Sequence, residues 1–323
     1  MRIGIMSASV EGKSLRENRR LMEEIEELNH EPVLINYRKA AVGISVEGRS
    51  LYQYDADDIP VPVDVDAVIP RIGKYVESGR AVLTLLMSQG VYSTASPEAV
   101  VNAKDKINTL TILDSRGIPV PYSVAPTGIK PKDPTATLKV IQPEYKEPII
   151  IKTIRGSHGE GVVLAESRRS AKSQAQAFQA HRIGYLIQEF VEAPEKDSLA
   201  SDVRLFVVEG ITIAAMRRRA KDKEEFRSNL SQEGEGEFYE PTSREKELAA
   251  KACEALGVTV GGVDILQSDR GPLVNEVNVS PEFGIEAVTG VNVARAIAEL
   301  AVHNSIKEII LPRSKIETIE IDA

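Results

Sequence analysis

Short apolar runs alternate with amphipathic segments in the first part of the chain. The runs RIGIMS, EPVLINY and VDAVIPRIG are predicted strands, and helices are predicted over about residues 14–29 and 79–89. This alternation is typical of a parallel sheet covered by helices. The stretch 46–66 carries a glycine and two prolines among acidic residues, which predicts a loop or a small hairpin.

A different pattern begins at Ser96, where Ser-Pro predicts a capped helix with proline at its first position. Four prolines and several lysines over 130–148 indicate a surface linker. Helices are predicted over about residues 170–180, 243–256 and 293–303. The predicted strands between them are PIIIKTI, GVVLAES, YLIQEFV, DVRLFVVEG, ITIAAMRRRA, VGGVDILQ and GPLVNEVNV. An α+β region with an antiparallel sheet is therefore expected.

Composition narrows the class of protein. The chain has 323 residues, of which 42% are hydrophobic and 27% charged, which predicts two or three globular domains and excludes a largely disordered protein. Its net charge of -8 argues against a surface built to bind nucleic acid. The single cysteine, Cys253, permits no internal disulfide and is predicted to be buried. With no signal-peptide pattern and no apolar run long enough to span a membrane, we expect a cytoplasmic protein.

The densest group of candidate ligands lies in VDILQSDRGPLVNEVNVSP, where SDRG would join two strands into a hairpin. Glu276 and Asn278 are two residues apart and so face the same side of their strand. Asp264 would add a third oxygen donor if it points to that side, and such ligands suit magnesium bound with phosphates. The alternative is a solvated polar face. The neighbouring valines argue against it, because an unpaired acidic stripe in so apolar a hairpin would be costly.

A second candidate is KTIRGSHGEGVVL, in which Lys152 precedes a loop containing Gly156, Gly159 and Gly161. Glycines let the backbone approach phosphates and offer amide donors, and the lysine adds a positive charge. The motif lacks the P-loop order and leads into a strand, which excludes Walker-type and dinucleotide-binding sites. A plain hairpin turn remains the alternative.

Two other segments can contribute to a site. YLIQEFV brings Gln188 and Glu189 to a strand end, where backbone groups can meet a purine edge, although most such segments are core strands. The block RRRAKDKEEFRSNL favours anion binding over a solvated turn, because guanidinium groups form paired hydrogen bonds with carboxylates and phosphates. The scattered histidines and the lack of a nucleophile elbow disfavour zinc and nucleophilic chemistry.

Together these segments resemble the ATP-grasp superfamily, and within it the RimK-type ligases that add glutamate to the C-terminus of a small-subunit ribosomal protein. The resemblance covers nearly the whole chain. It rests on the order of VIPRIG, NAKDK, IIIKTIRGSHGEGVVLAE, QEFV, DVRLFVV, RRRAK, FRSNL and GGVDIL with GPLVNEVNVSP.

The resemblance implies an ATP-grasp fold of mixed α/β and α+β class, in which an N-terminal parallel-sheet domain precedes two ATP-grasp subdomains. We expect the N-terminal domain over residues 1–95 and a central subdomain with the glycine-rich loop over 96–187. A C-terminal subdomain with the metal site would follow over 188–310, and a tail over 311–323.

The resemblance also implies roles for individual residues. Lys106 and Lys152 would contact the ATP phosphates, and the glycine-rich loop would close over them. The implied nucleotide-site residues are Lys106, Lys152, Gly156, Ser157, Gly159, Gly161, Gln188, Glu189, Phe190, Val191, Asp202, Arg227, Ser228 and Asn229. The implied metal ligands are Asp264, Glu276 and Asn278, with Glu276 bridging two Mg²⁺ or Mn²⁺ ions. Arg204 and either Arg218 or Arg219 would stabilise an acyl phosphate.

In enzymes of this kind, a substrate carboxylate attacks the γ-phosphate of ATP, and an amine then attacks the acyl phosphate to form an amide. We therefore expect an acid–amino-acid ligase that adds L-glutamate to the C-terminal carboxylate of a ribosomal or other protein or peptide. Family members are multimers, so a homo-oligomer is expected, with no nucleic-acid or membrane partner.

Three departures from the family leave the acceptor open. The segment SQEGEGEFYEP is acidic where the family is weakly charged, and would repel an acidic acceptor. The connector EAPEKDSLASD is longer than is usual in the family. The segment SPEFGIEAVTGVNVA shares features with LysX-like ligases, which join glutamate to a carrier protein. One alternative is therefore a LysX-like or cofactor-type ligase that joins glutamate or another amino acid to a carrier protein or small molecule. A second alternative is a non-catalytic ATP-binding scaffold.

Overall fold

The computed structural model describes residues 1–9, 13–46, 48–127, 135–141, 147–156, 161–192, 201–219 and 235–310. Contacts within the chain define two units. The first contains Met1–Arg71, Glu77–Thr94 and the C-terminal helix from Ala294, and the second contains Ile72–Val76 and Ala95–Val293. The predicted boundaries after residues 95, 187 and 310 stay predictions.

The first unit contains a parallel sheet in the order β2-β1-β6-β7, as the alternation of strands and helices predicts. Its elements are β1 (Arg2–Ser7), α1 (Lys13–Glu27), β2 (Glu31–Asn36), β3 (Ala40–Ser45), β4 (Gly48–Tyr54), β5 (Pro60–Val63), β6 (Ala67–Arg71), α2 (Val76–Ser88) and β7 (Tyr92–Ser93). Ile3 and Ile5 of the central strand are fully buried, and α1 packs on it through Leu21 and Ile25. The C-terminal helix joins this unit through Ser305, whose hydroxyl donates to Asp66 O at 3.2 Å.

The stretch predicted as a loop or small hairpin lies largely within a separate antiparallel sheet in the order β3-β4-β5. Leu51 in the middle strand is buried and pairs with Val42 and Val63 on its two sides. The two prolines of β5 fall on an edge strand, where a missing N–H removes no hydrogen bond from the sheet. For that reason the prolines do not interrupt β5, and β4 and β5 form the small hairpin that was one of the two predictions for this stretch.

The second unit holds two antiparallel sheets and the helices that cover them. Its elements are α3 (Pro97–Lys104), α4 (Lys106–Ser115), β8 (Ser123–Val124), α5 (Thr135–Ile141), β9 (Ile149–Thr153), β10 (Val162–Ala165), α6 (Arg168–Ala180), β11 (Tyr185–Glu189), β12 (Ser201–Val208), β13 (Ile211–Arg219), β14 (Glu235–Phe238), α7 (Ser243–Leu256), β15 (Val260–Leu266), β16 (Leu273–Asn278) and α8 (Gly284–Thr289). The C-terminal helix, which belongs to the first unit, is α9 (Val293–Ile310). None of the helices in the described ranges is long and apolar enough to cross a membrane.

The helix predicted from Ser96 is divided into α3 and α4 by a second capping residue, Asp105. The Ser96 side chain accepts from Ala99 N and Pro97 takes the first helical position, as predicted. The helix then ends at Asp105, whose carboxylate accepts from the backbone N–H groups of Ile107 and Asn108 and starts α4. This break places Lys106 at the first turn of a new helix.

The smaller sheet has the order β10-β9-β11-β8. Its core includes Ile149 and Ile151 of β9 and Tyr185 of β11. Leu138 and Ile141 of α5 are fully buried in the same core, so part of the predicted surface linker is a packed helix. The prolines of this stretch flank α5 instead of interrupting it.

The larger sheet has the order β14-β13-β12-β15-β16, and two adjacent glycines of β15 allow both of its faces to be covered. A Cβ atom at Gly261 would lie 2.7 Å from Cys253 Sγ of α7, and one at Gly262 would lie 2.8 Å from Pro281 Cβ on the opposite face. Cys253 is buried against this strand, as predicted. Side chains at either glycine would push the covering segment away from the sheet.

We expect Gly261→Ala to lower the free energy of unfolding by about 1–3 kcal/mol, because the added methyl group overlaps Cys253 Sγ. Chemical denaturation measures the change. The matched control is Gly73→Ala, because a Cβ there meets no atom within 4 Å. The cost should shrink in a Cys253→Ala background, and equal costs in both backgrounds would contradict the proposed overlap.

Candidate functional site

One face of the larger sheet is charged. Arg204 of β12 lies opposite Asp264 of β15, and Asp202, two residues from Arg204, lies opposite Arg218 of β13. Residues that are paired across strands, or two apart on one strand, share a face. The other face carries Val203, Leu205 and Val263 and packs under α7.

Arg218 is the centre of a buried ion network on the charged face. Its Nε donates to Asp202 Oδ1 at 3.0 Å and its Nη2 to the other oxygen of Asp202, and Nη2 lies 2.9 Å from Asp264 Oδ2. Arg204 donates to both Asp264 oxygens at 2.7 Å. Only 2% of Arg218 and 3% of Asp264 is exposed. Two carboxylates thus balance two guanidinium groups.

The pKa values of Asp264 and Arg218 show that pairing with opposite charges has a larger effect than burial. Burial alone would raise the pKa of Asp264, but Arg204 and Arg218 outweigh burial and hold that pKa below its usual range. Burial alone would lower the pKa of Arg218, but Asp202 and Asp264 raise it above its usual value. Asp264 and Arg218 therefore both stay charged at neutral pH.

The hairpin of β15 and β16 contains a bulge beside this network. Asp264 pairs with Glu276 and Ile265 with Val274, so that Asn275 is skipped. Asp264 and Glu276 therefore share a face, and Asn278 lies two residues further along on that face. Within the described part of the chain, the Glu276 carboxylate forms no hydrogen bond or ion pair.

Lys152, on the smaller sheet, reaches the bulge. Its Nζ donates to Asn275 Oδ1 at 3.0 Å. Burial lowers the pKa of Lys152 from 10.5 to about 8, and the nearby Glu276 carboxylate opposes this shift while Lys106 adds to it. A cationic amine therefore stands close to an unpaired carboxylate.

Lys106, on α4, contacts the start of the glycine-rich loop. Its backbone N–H donates to Ile154 O at 3.1 Å, and its Nζ to Gly156 O at 3.4 Å. At the far end of the loop, Gly161 has φ +72° and a Cβ there would lie 2.5 Å from Thr153 Cγ2, so only glycine fits. Ser157 and Gly159 lie outside the described residues.

The predicted nucleotide-site segment Gln188–Val191, whose first two residues could meet a purine edge, begins on β11. Gln188 Nε2 donates to Ser123 Oγ at 2.9 Å, and Glu189 is buried. One Glu189 oxygen accepts from Tyr122 N at 2.8 Å and the other from Arg270 Nη2 at 2.6 Å. Phe190 and Val191 follow the strand without belonging to it and are partly buried.

The basic block divides between the two faces of the sheet. Arg219 alternates with Arg218 on β13, so it points away from the charged face, and its Nη2 lies 3.2 Å from Glu237 on β14. Arg217 shares that other face and stacks over the Tyr239 ring at 4.8 Å. Arg219 is thus not brought together with Arg204 and Arg218. The predicted site residues Arg227, Ser228 and Asn229 lie outside the described residues.

Sequence analysis missed two residues of this region, Asn275 and Arg270. Two adjacent polar residues, Asn275 and Glu276, break the alternation of an otherwise regular strand, and this break is the signal of the bulge. Arg270 carried no comparable signal, because a charged residue in a turn is ordinary.

The donor set suits a hard cation bound with phosphates. Asp264, Glu276 and Asn278 offer carboxylate and amide oxygens on one face, and phosphate oxygens complete such sites. No group of three or more His, Cys, Asp or Glu side chains in the described ranges is arranged to hold a metal without other ligands. An ion at this place would therefore depend on a ligand that brings its own oxygen atoms.

Comparison with known proteins identifies the family. The model of the RimK-like ATP-grasp domain matches residues 103–301, and that of the RimK PreATP-grasp domain matches residues 1–100. The chain belongs to the RimK family of ATP-grasp ligases. RimK-family membership makes it an ATP-dependent, amide-forming ligase, because this is the chemistry of the ATP-grasp ligases.

Curated relatives agree with this RimK-family assignment, and solved structures share the fold. A protein named "Probable alpha-L-glutamate ligase" from Aliivibrio salmonicida is 36% identical over 309 residues, which cover 94% of this chain and 96% of the relative. The ATP-grasp ligase PsnB, complexed with minimal precursor, Mg and ADP, has a TM-score of 0.69 at 20% identity, over 94% of this chain and 98% of PsnB. A RimK domain protein from Sphaerobacter thermophilus has a TM-score of 0.69 at 22% identity, over 94% and 100%. The predicted ATP-grasp fold is confirmed.

We expect the stability of the nucleotide-free protein to rise between about pH 8 and 10.5 because of Lys152. In that range the unfolded chain, with a lysine pKa of 10.5, binds a proton that the folded protein has released, so stability increases with pH. The slope for one proton is at most about 1.4 kcal/mol per pH unit. Urea denaturation across this range measures it.

Lys152→Met should remove this contribution to the slope. Lys251→Met is the control, because Lys251 is an exposed lysine paired with Glu247 on α7. If the wild type and Lys152→Met give parallel stability curves, the lowered pKa of Lys152 is wrong.

Proposed function

We propose that the protein uses ATP to join L-glutamate, through its amino group, to the C-terminal carboxylate of a protein or peptide. The observation that carries the proposal is the Glu276 carboxylate, which forms no hydrogen bond or ion pair with the described residues, is paired in register with Asp264 and interacts electrostatically with Lys152. This arrangement offers one cation for phosphates and one oxygen donor for a metal. The relatives named alpha-L-glutamate ligases support glutamate as the amine substrate.

The nucleotide would lie across both sheets of the second unit. Lys106 and Lys152 would hold the phosphates, and Gln188–Val191 the base. Asp264, Glu276 and Asn278 would hold Mg²⁺ or Mn²⁺ ions, two in number by family resemblance, and the metal would neutralise charge on the phosphates. Ser157, Gly159, Asp202, Arg227, Ser228 and Asn229 complete the proposed site. The complex of PsnB with Mg and ADP is in keeping with this choice of ligands.

The reaction would proceed in two displacements. An oxygen of the acceptor carboxylate attacks the γ-phosphorus of ATP, and ADP leaves; the glutamate nitrogen then attacks the acyl carbon, releases phosphate and loses a proton. Arg204, whose side chain is 12% exposed, is better placed to meet the acyl phosphate than Arg218, at 3%. Arg218 instead fixes the two acidic groups. Positioning and charge neutralisation of this kind need no covalent nucleophile on the protein.

The position of Glu237 bears on the acceptor. Glu237 belongs to the acidic segment that was expected to repel an acidic tail, but it lies on the face opposite Arg218 and pairs with Arg219. Its charge is therefore partly neutralised and directed away from the site. The charge of Glu237 therefore does not argue against an acidic peptide or protein terminus as the acceptor.

The direct test is a screen of ADP release with ATP, Mg²⁺, glutamate and acidic peptides, followed by mass spectrometry of the acceptors. We expect release that requires both glutamate and a peptide, and a mass gain of one or more glutamyl residues. Modification of a carrier protein or a small molecule would favour the alternative. ATP binding with no ADP release under any condition would favour the scaffold.

Glu276→Gln should lower kcat/KM at least about 100-fold, since loss of even an indirect metal partner costs 10- to 100-fold. The measurement is the rate of ADP release at several Mg²⁺ concentrations. Glu247→Gln on the exposed face of α7 is the control and should retain full activity. Activity of Glu276→Gln equal to that of the control would exclude Glu276 as a metal ligand.

A further inference from the structure

Glu189 ends β11 with a carboxylate that needs partners. Only 4% of the residue is exposed, so water cannot satisfy both of its oxygens. One oxygen accepts from the backbone N–H of Tyr122 at 2.8 Å, and the Glu189 N–H donates to Tyr122 O at 3.0 Å. The strand end therefore already has a fixed neighbour on the β8 side.

The second oxygen of Glu189 is bound from the larger sheet. Arg270 lies in the turn between β15 and β16, and its Nη2 donates to Glu189 Oε2 at 2.6 Å. The side chain of Arg270 is 51% exposed, so its charge is hydrated at one end and the hydrogen bond is buried at the other. An ion pair that is exposed at both ends contributes little to stability, but a buried carboxylate that loses its partner destabilises the folded protein.

The same hairpin touches the region around the smaller sheet at two further points. Val274 N donates to Pro119 O at 2.8 Å, and Lys152 Nζ donates to Asn275 Oδ1 at 3.0 Å. The turn, the start of β16 and the bulge thus each form a hydrogen bond with that region. Of the three, only the contact at the turn ends on the segment Gln188–Val191.

We propose that Arg270 is a positioning residue for the nucleotide base. By holding Glu189, it sets the place of Gln188–Val191 relative to Asp264, Glu276 and Asn278 on the same hairpin. This inference rests on the proposed function, which assigns the base to one segment and the metal to the other. Arg270 itself need not contact the nucleotide.

The proposal predicts a selective defect in Arg270→Ala. Without its partner, the Glu189 carboxylate turns toward water and displaces the strand end that would hold the base. We expect the KM for ATP to rise about tenfold, which corresponds to about 1.4 kcal/mol. The KM for glutamate and kcat should stay within about twofold, and the preference for ATP over GTP, as the ratio of their kcat/KM values, should fall by a similar factor.

Two further variants separate positioning from general stability. Arg270→Lys keeps the charge and one donor but loses the planar fork, so it should recover part of the ATP affinity. In Arg270→Ala/Glu189→Gln, no buried charge is left unpaired, so the two changes should be less than additive in ATP affinity. The control is Arg244→Ala, because Arg244 is an exposed arginine 3.0 Å from Glu247 on α7.

Steady-state kinetics and thermal unfolding of all these variants test the positioning role of Arg270. An Arg270→Ala protein with unchanged KM and base preference would overturn the positioning role. The positioning role would also be overturned if kcat fell, every KM rose by a similar factor and the Tm were lower, because that result would show a purely structural role. A wild type that binds no ATP would instead refute the proposed function, and this inference with it.

Discussion

A buried arginine between two aspartates is the constraint on which the second unit depends. Arg218 contacts Asp202 and Asp264 at once, and these three residues come from three adjacent strands. Removal of one member would leave an uncompensated charge, which costs about 3–5 kcal/mol in buried pairs. The register of β13, β12 and β15 therefore cannot slip without exposing or isolating a charge. The position of every other side chain on that face follows from this register.

The two faces of the larger sheet separate stability from chemistry. The face under α7 is apolar at its centre, and Gly261 lets the helix approach through Cys253. The opposite face carries the ion network, and Gly262 lets Pro281 close over one end of it. Because side chains alternate along a strand, neighbouring residues such as Arg218 and Arg219 have unrelated environments. One is buried between carboxylates, whereas the other meets the edge strand.

Much of this arrangement could be predicted from local patterns. Apolar periodicity located the strands and most of the helices, and the spacing of Glu276 and Asn278 gave their common face. Pairing across strands could not be predicted in this way, because it depends on register between segments far apart in the chain. The Asp202 and Arg218 pair and the contact of Arg270 with Glu189 are of this kind. Proline frequency also misled, since it hid α5, which prolines flank. In β5 it did not, because a small hairpin was one of the predictions there and an edge strand tolerates proline.

The skipped residue in β16 has a consequence for how this strand can change. On one side of Asn275 the strand turns Val274 toward the helix, and on the other it turns Glu276 toward the charged face. A regular strand cannot do both, since residues two apart point the same way. Deleting Asn275 would make Val274 and Glu276 adjacent, so they would still point to opposite faces, but the acceptor for Lys152 Nζ would be lost. The extra residue thus adds a polar contact to this strand without moving the side chains on either side of it to a different face.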